Sequence, residues 1–256
     1  MAAPGTPAAN ARNKMRSTEA ASRLEIPWEI KRLPRNEKEG YGRSIAPIGQ
    51  MFDRSFMPAE KRPVRPAVVW FRTQEETDKI DKRLWDMEEV AVAARLFDCA
   101  KVYVEDIETT VERETYAKTT PTVLFLDSRG KEVTRLVGES VTANQVYEAM
   151  KKTAAVDFKT SLEVFVSRYK DFLKRFDKAM AKVSDLEEEI KGHDEHLARH
   201  DCEPARRQKG EALEDMKKAT VERDKVKAEE PEAMRVEVKP DRSFAPPKPK
   251  EPTPQK

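Results

Sequence analysis

From Phe158 to Leu197 a spacing of four and three alternates without a break, and eleven of its twelve positions are apolar, counting Tyr169 and Ala179. The positions are Phe158, Leu162, Phe165, Tyr169, Phe172, Phe176, Ala179, Val183, Leu186, Ile190, His193 and Leu197. Such a seam is the signature of a long helix that packs one stripe against a partner, roughly 60 Å of it at 1.5 Å per residue. A lone helix in water does not keep that stripe exposed. Arg199-His-Asp-Cys-Glu-Pro204 then interrupts the pattern, and Pro204 suits the first turn of a second helix over about 204–229. That second stripe holds Ala205, Ala212, Leu213, Met216, Ala219 and Val226. It is poorer in large groups than the first. Residues 155–230 therefore read as an antiparallel helical hairpin or coiled coil. Its Phe-rich half (Phe158, Leu162, Phe165, Tyr169, Phe172, Phe176) is the expected assembly surface, for a second copy, a protein partner or the chain's own domain.

Proline divides the rest. Eight of the 17 prolines lie in residues 1–66 and seven in 231–256, leaving Pro121 and Pro204 between. Because proline removes a donor and breaks helices and central strands, the ordered core is expected between about 67 and 230. Residues 1–65 read as a basic, Pro-rich extended or disordered arm, with thirteen lysines and arginines against seven acids. The arm is either a solvated tail or a contact for nucleic acid, an acidic partner or an anionic membrane surface. It lacks the dense basic block and aromatic pattern of a nucleic-acid binder. Residues 231–256 read as a Pro/Lys-rich disordered tail. Its P-x-x-P spacings, Pro246/Pro249 and Pro249/Pro252, fit a polyproline II ligand or a linker. Charged residues at 38% and a mean hydropathy of −0.79 are too polar for one compact globule. No apolar run reaches the ~18 residues of a membrane span. The start of the chain lacks the apolar core of a secretory signal. Two cysteines, Cys99 and Cys202, make no disulfide framework, which points to a reducing, cytoplasmic setting.

Residues 66–153 read as α/β. Ala67–Phe71 is a doubly buried strand, a helix follows over about 75–97, and Lys101–Val104 is a second strand. Thr109–Lys118 is a short helix. Thr122–Leu126 and Lys131–Val137 form a hairpin around Asp127-Ser-Arg-Gly130. A last helix opens near Thr142. The order and the text Thr119-Thr-Pro-Thr-Val-Leu-Phe-Leu-Asp-Ser-Arg-Gly-Lys-Glu-Val133, with Leu136-Val-Gly138, resemble the central signature of the thioredoxin-like superfamily. The resemblance covers about a third of the chain. It implies a thioredoxin-like fold with a cis-proline at Pro121. It also implies that the backbone of Thr120, next to Pro121, pairs with an extended peptide by strand addition. Pro121 shaping only the turn is the other reading.

One departure governs function. The family's C-x-x-C sits where the helix N-terminus lowers a thiol pKa. Here that stretch is Arg72-Thr-Gln-Glu-Glu-Thr-Asp78, and the family's acid on the preceding strand is replaced by Val68-Val69-Trp70. No catalytic residue and no cofactor is expected, and the chain is not a dithiol oxidoreductase. It reads as a redox-inactive interaction or scaffold protein. Two alternatives stand: an accessory protein that binds extended peptides in a redox or folding process, or a nucleic-acid- or membrane-surface component acting through residues 1–65. Cys99 reads as a small core residue. His193, His196 and His200 with Cys202 fall near the hairpin tip, either as zinc donors or as a polar helix end.

Overall fold

The computed structural model describes residues 18–33, 48–75 and 78–242. The chain divides into two compact units, one of residues 1–25 and 164–235 and one of residues 26–163 and 236–256. The architecture is mixed α/β, with a five-stranded sheet and long C-terminal helices.

The sheet unit holds β1 (Glu29–Ile30), β2 (Ala67–Arg72), β3 (Asp98–Tyr103), β4 (Thr122–Leu126) and β5 (Glu132–Val137), in the spatial order β1-β3-β2-β4-β5. β1 and β2 both run parallel to β3, while β4 is antiparallel to β2 and to β5. Every residue of β2 is buried, as its unalternated Ala-Val-Val-Trp-Phe run predicts for a central strand. Side chains of β2 alternate between two faces. Ala67, Val69 and Phe71 join Leu124, Leu126 and Val102 in one core, against Ile48. Val68, Trp70 and Arg72 line the other face. Helices α2 (Asp78–Trp85), α3 (Glu88–Ala94), α4 (Thr110–Tyr116) and α5 (Ala143–Asp157) complete the unit. Thr142 caps α5 in a reciprocal box with Gln145.

Several expectations need correction. The helix expected over 75–97 is broken between Trp85 and Glu88. The reason is burial: Val90 to Ala94 are buried at five consecutive positions, which no straight continuation of the amphipathic α2 stripe allows. β3 begins at Asp98, three residues before its expected start, so Cys99 is a strand residue. The arm expected to be disordered carries α1 (Thr18–Ser22), β1 and 3-10 turns at Ile48–Phe52 and Ala59–Lys61. Its apolar groups account for this order. Ile48 is buried in the sheet core with Met51 and Phe52 against it, and the Trp28 ring lies 5.5 Å from Trp70 and 4.7 Å from Trp85. The basic residues Arg12, Lys14 and Arg16 lie outside the described residues. Of the expected C-terminal tail, residues 236–242 dock on the sheet unit. Val238 bridges Phe158, Lys239 donates its amide to the Asp157 carbonyl at 2.9 Å, and Arg242 meets the Asp127 carboxylate at 2.7 Å. The P-x-x-P stretch lies outside the described residues.

The helical unit is built on α6 (Leu162–Arg199), α7 (Glu203–Ala228) and the short α8 (Glu230–Ala233). Lys209–Asp194, Lys182–Glu222 and Arg175–Glu229 ion pairs run along α6 and α7 in opposite directions, which fixes an antiparallel hairpin. Pro204 stands in the first turn of α7. α7 buries Ala205, Ala212 and Ala219, one every seven residues. Phe158 is not on α6: it caps the C-terminus of α5, and the helix restarts at Leu162. Among the described residues no helix is long and apolar enough to cross a membrane.

Candidate functional site

The two ends of the sheet differ in chemistry. At the end where β2 finishes, Arg72 is buried. It donates Nη1 to the Asp81 carboxylate at 2.8 Å and lies over the Trp70 ring at 4.9 Å. Thr73, Gln74 and Glu75 follow, and the Gln74 amide donates to Glu105 Oε1 at 3.0 Å. No thiol stands between Arg72 and Asp78. The Lys101 ammonium sits 4.9 Å above the Trp70 ring and 5.3 Å from that of Trp28. Burial pulls its pKa below the ordinary lysine range, against the attraction of Asp81 and with help from Arg72. The indole N–H groups of Trp70 and Trp85 are buried and find no acceptor among the described residues.

The Thr120–Pro121 bond is cis. Pro121 is buried and its carbonyl accepts from the Gly138 amide at 2.8 Å. Thr120 is half-buried, and no backbone hydrogen bond among the described residues uses its amide or carbonyl.

Neither cysteine belongs to this end. Cys99 is buried in β3, and desolvation pushes its thiol up to about 12 despite the nearby Arg65 charge. Cys202 precedes α7 in the helical unit, with its Sγ 3.3 Å from His196 Nε2. The His196 and His200 rings are 5.8 Å apart, while His193 faces the Glu189 carboxylate at 3.7 Å. α6 ends at Arg199, and His200 follows it with its amide still donated to the His196 carbonyl at 2.8 Å. Cys202 and His200 thus both approach His196, while His193 turns to Glu189. Among the described residues no group of three or more His, Cys, Asp or Glu side chains is placed to hold a metal.

The Phe-rich stripe expected as an assembly surface is covered by the chain itself, one of the alternatives that its sequence leaves open. Phe158, Leu162, Phe165, Tyr169, Phe172 and Phe176 are all buried, four of them with no accessible surface at all. Within the helical unit Arg23 stacks over Phe176 at 4.5 Å, Tyr169 donates its hydroxyl to Glu230 at 2.7 Å, and Arg168 donates to the Ala233 carbonyl at 3.1 Å. The stripe is interior. Each of these aromatic side chains contributes about 2–3 kcal/mol by leaving water.

The end of the sheet where β2 begins was not singled out by sequence. There Gly49, in the 3-10 turn, touches Gly130 of the β4–β5 turn so closely that a Cβ on either would lie 2.5 Å from the other's Cα. Gly130 also holds a φ of +78°, which favours glycine. This contact closes one wall of a cleft of about 350 Å³. Asp98 draws Arg54 and Arg65 to the same oxygen at 2.9 Å each, and Arg65 also donates to the Arg95 and Phe97 carbonyls. The available signal was the recurrence of arginine at 54, 62 and 65, just before a buried strand.

No protein-family model matches this chain, and no curated protein matches it.

Proposed function

We propose that the sheet unit is a thioredoxin-like module without dithiol chemistry, acting as a binding component and not as an oxidoreductase. The strand order β1-β3-β2-β4-β5, its pattern of parallel and antiparallel pairs and the proline ahead of β4 support the thioredoxin-like assignment. The observation that carries the functional reading is the loop after β2. Dithiol exchange needs two cysteines that can bridge: Arg72 to Asp78 supply none, and Cys202, the thiol at the start of α7, has no second cysteine in its unit. The buried Cys99 thiol stays protonated at neutral pH and cannot serve as that second cysteine. The buried Phe stripe leaves binding to other surfaces. Insulin disulfide reduction by the full chain, with excess reductant, tests the reading. No acceleration over reductant alone is expected, and acceleration that scales with protein concentration overturns it.

A second reading is favoured by one observation: the unpaired backbone of Thr120 beside β4. An extended peptide would add its own amide and carbonyl there by strand pairing. Peptide titration into the 15N-labelled chain should then move the Thr120 amide resonance.

A further inference from the structure

The lining of the cleft at the start of β2 carries one more arginine than aspartate, and behind it Arg242 meets three carboxylates, those of Asp127, Asp157 and Asp241. Four guanidinium groups line the cleft, from Arg54, Arg62, Arg65 and Arg129, against the carboxylates of Asp53, Asp98 and Asp127. Those carboxylates are already engaged. Asp98 takes two arginines, and Asp127 is met by Arg242 at 2.7 Å. Asp53 accepts from the Ser55 amide and hydroxyl at 2.8 and 2.9 Å. Those two bonds, with a lesser contribution from Arg62, hold its carboxyl below the usual range, so it is charged at neutral pH.

Arg62 and Arg129 make no ion pair among the described residues. Arg62 donates only to the Met57 and Ser55 carbonyls, both at 2.7 Å, and Arg129 only to the Asp241 carbonyl. A guanidinium carries five N–H donors, so each retains donors that no acceptor among the described residues uses. The carbonyl bonds hold both side chains in place. The Gly49–Gly130 contact fixes the wall between them, because neither turn can move independently at that separation. A preformed concave site with a few convergent polar groups, at a volume near the lower end of small-molecule pockets, is what a compact ligand requires. Guanidinium groups with spare donors select oxyanions by charge-assisted, bidentate hydrogen bonds.

We propose that this cleft binds a small anionic ligand whose phosphate or carboxylate group is received by Arg62 and Arg129. The proposal goes beyond the absence of dithiol chemistry, since it concerns the opposite end of the sheet and holds whether or not insulin is reduced. The ligand's remaining atoms would lie against Phe52 and Pro63, which give the cleft its apolar part.

The test is a titration of the full 15N-labelled chain with inorganic phosphate and, separately, with citrate, at constant ionic strength set with chloride. Amide shifts of Gly49, Ser128 and Gly130 are the readout. Saturable shifts at these three positions are expected by ~10 mM, a range that covers millimolar affinity. A tighter response to phosphate identifies a phosphate ester as the natural class, and a tighter response to citrate identifies a carboxylate. Arg129→Gln, at an exposed position, should weaken the response about tenfold, as should Arg62→Met, the scale expected for one charge-assisted bond. If Arg62→Met loosens its loop, Arg129→Gln alone carries the comparison. Two results overturn the proposal: no saturable shift with either anion, or shifts that Arg129→Gln leaves unchanged in a folded chain.

Discussion

The two ends of the sheet unit share one strand, β2, and have been built under different constraints. Where β2 ends, Arg72 is buried against Asp81, but the loop beyond it stands on water: Gln74, Glu75 and Glu105 are exposed, and Thr120 is half-buried. Where β2 begins, the groups are locked. Two glycines touch, one aspartate holds two arginines, and a C-terminal strap reaches Asp127. The thioredoxin-like resemblance directs attention to the first end, because that is where the family keeps its thiols. The physical investment lies at the second. A fold therefore says where a relative's chemistry would be and not where this chain has organised its own polar groups.

Substitutions should divide along the same line. The largest effect is expected at the glycine contact. Gly130→Ala adds a methyl 2.5 Å from a backbone atom and strains a positive φ, and should cost about 3 kcal/mol in urea unfolding. A loss under ~1 kcal/mol would mean that the two turns are free to part. Asp98→Ala comes next, at about 2 kcal/mol, because it leaves Arg54 and Arg65 as neighbouring, uncompensated charges. Asp98→Asn, which keeps one acceptor, should recover part of that loss.

Alkaline pH gives a third, smaller effect. The Cys99 thiol ionises near its ordinary 9.0 when unfolded, and burial moves this to about 12 when folded. Below pH 9 both states are protonated and the stabilising contribution is fully present. Between about 9 and 12 the unfolded chain alone releases the proton, so stability falls, by roughly 1.4 kcal/mol at pH 10. Cys99→Ala should flatten that segment of the stability curve relative to the parent chain. The smallest effect belongs to the exposed end. Glu105→Gln keeps an acceptor for the Gln74 amide and should stay within ~0.5 kcal/mol of the parent. A loss as large as that of Asp98→Ala would erase the contrast between the two ends.

Much of this was legible in the chain. The run Ala67–Phe71 specified a doubly buried strand, Gly130 specified the hairpin turn, and Pro204 marked the start of the second long helix. What failed to show shares one cause. The seam from Phe158 to Leu197 specifies that a stripe is covered and is silent on what covers it. Arg23, Glu230 and Ala233 lie far from it in sequence. The arm before residue 66 looked coreless because its apolar residues are scattered among prolines. Ile48 and Phe52 nevertheless pack on one face of β2, with Val69 and Phe71, and Trp28 on the other, against Trp70. The cleft was hidden for the same reason, since Gly49 and Gly130 meet only after folding. The histidine cluster was visible in the sequence, but not that His193 would face Glu189.

Thiol accounting on the native full chain tests the central claim most directly. Incubation with iodoacetamide at pH 8, followed by peptide mass mapping, should show Cys202 alkylated while Cys99 reacts only after denaturation. Mild oxidant should yield no disulfide within the chain. Rapid native alkylation of Cys99, or an intrachain disulfide that forms and is reduced reversibly, would contradict the assignment of this protein as a module without dithiol chemistry.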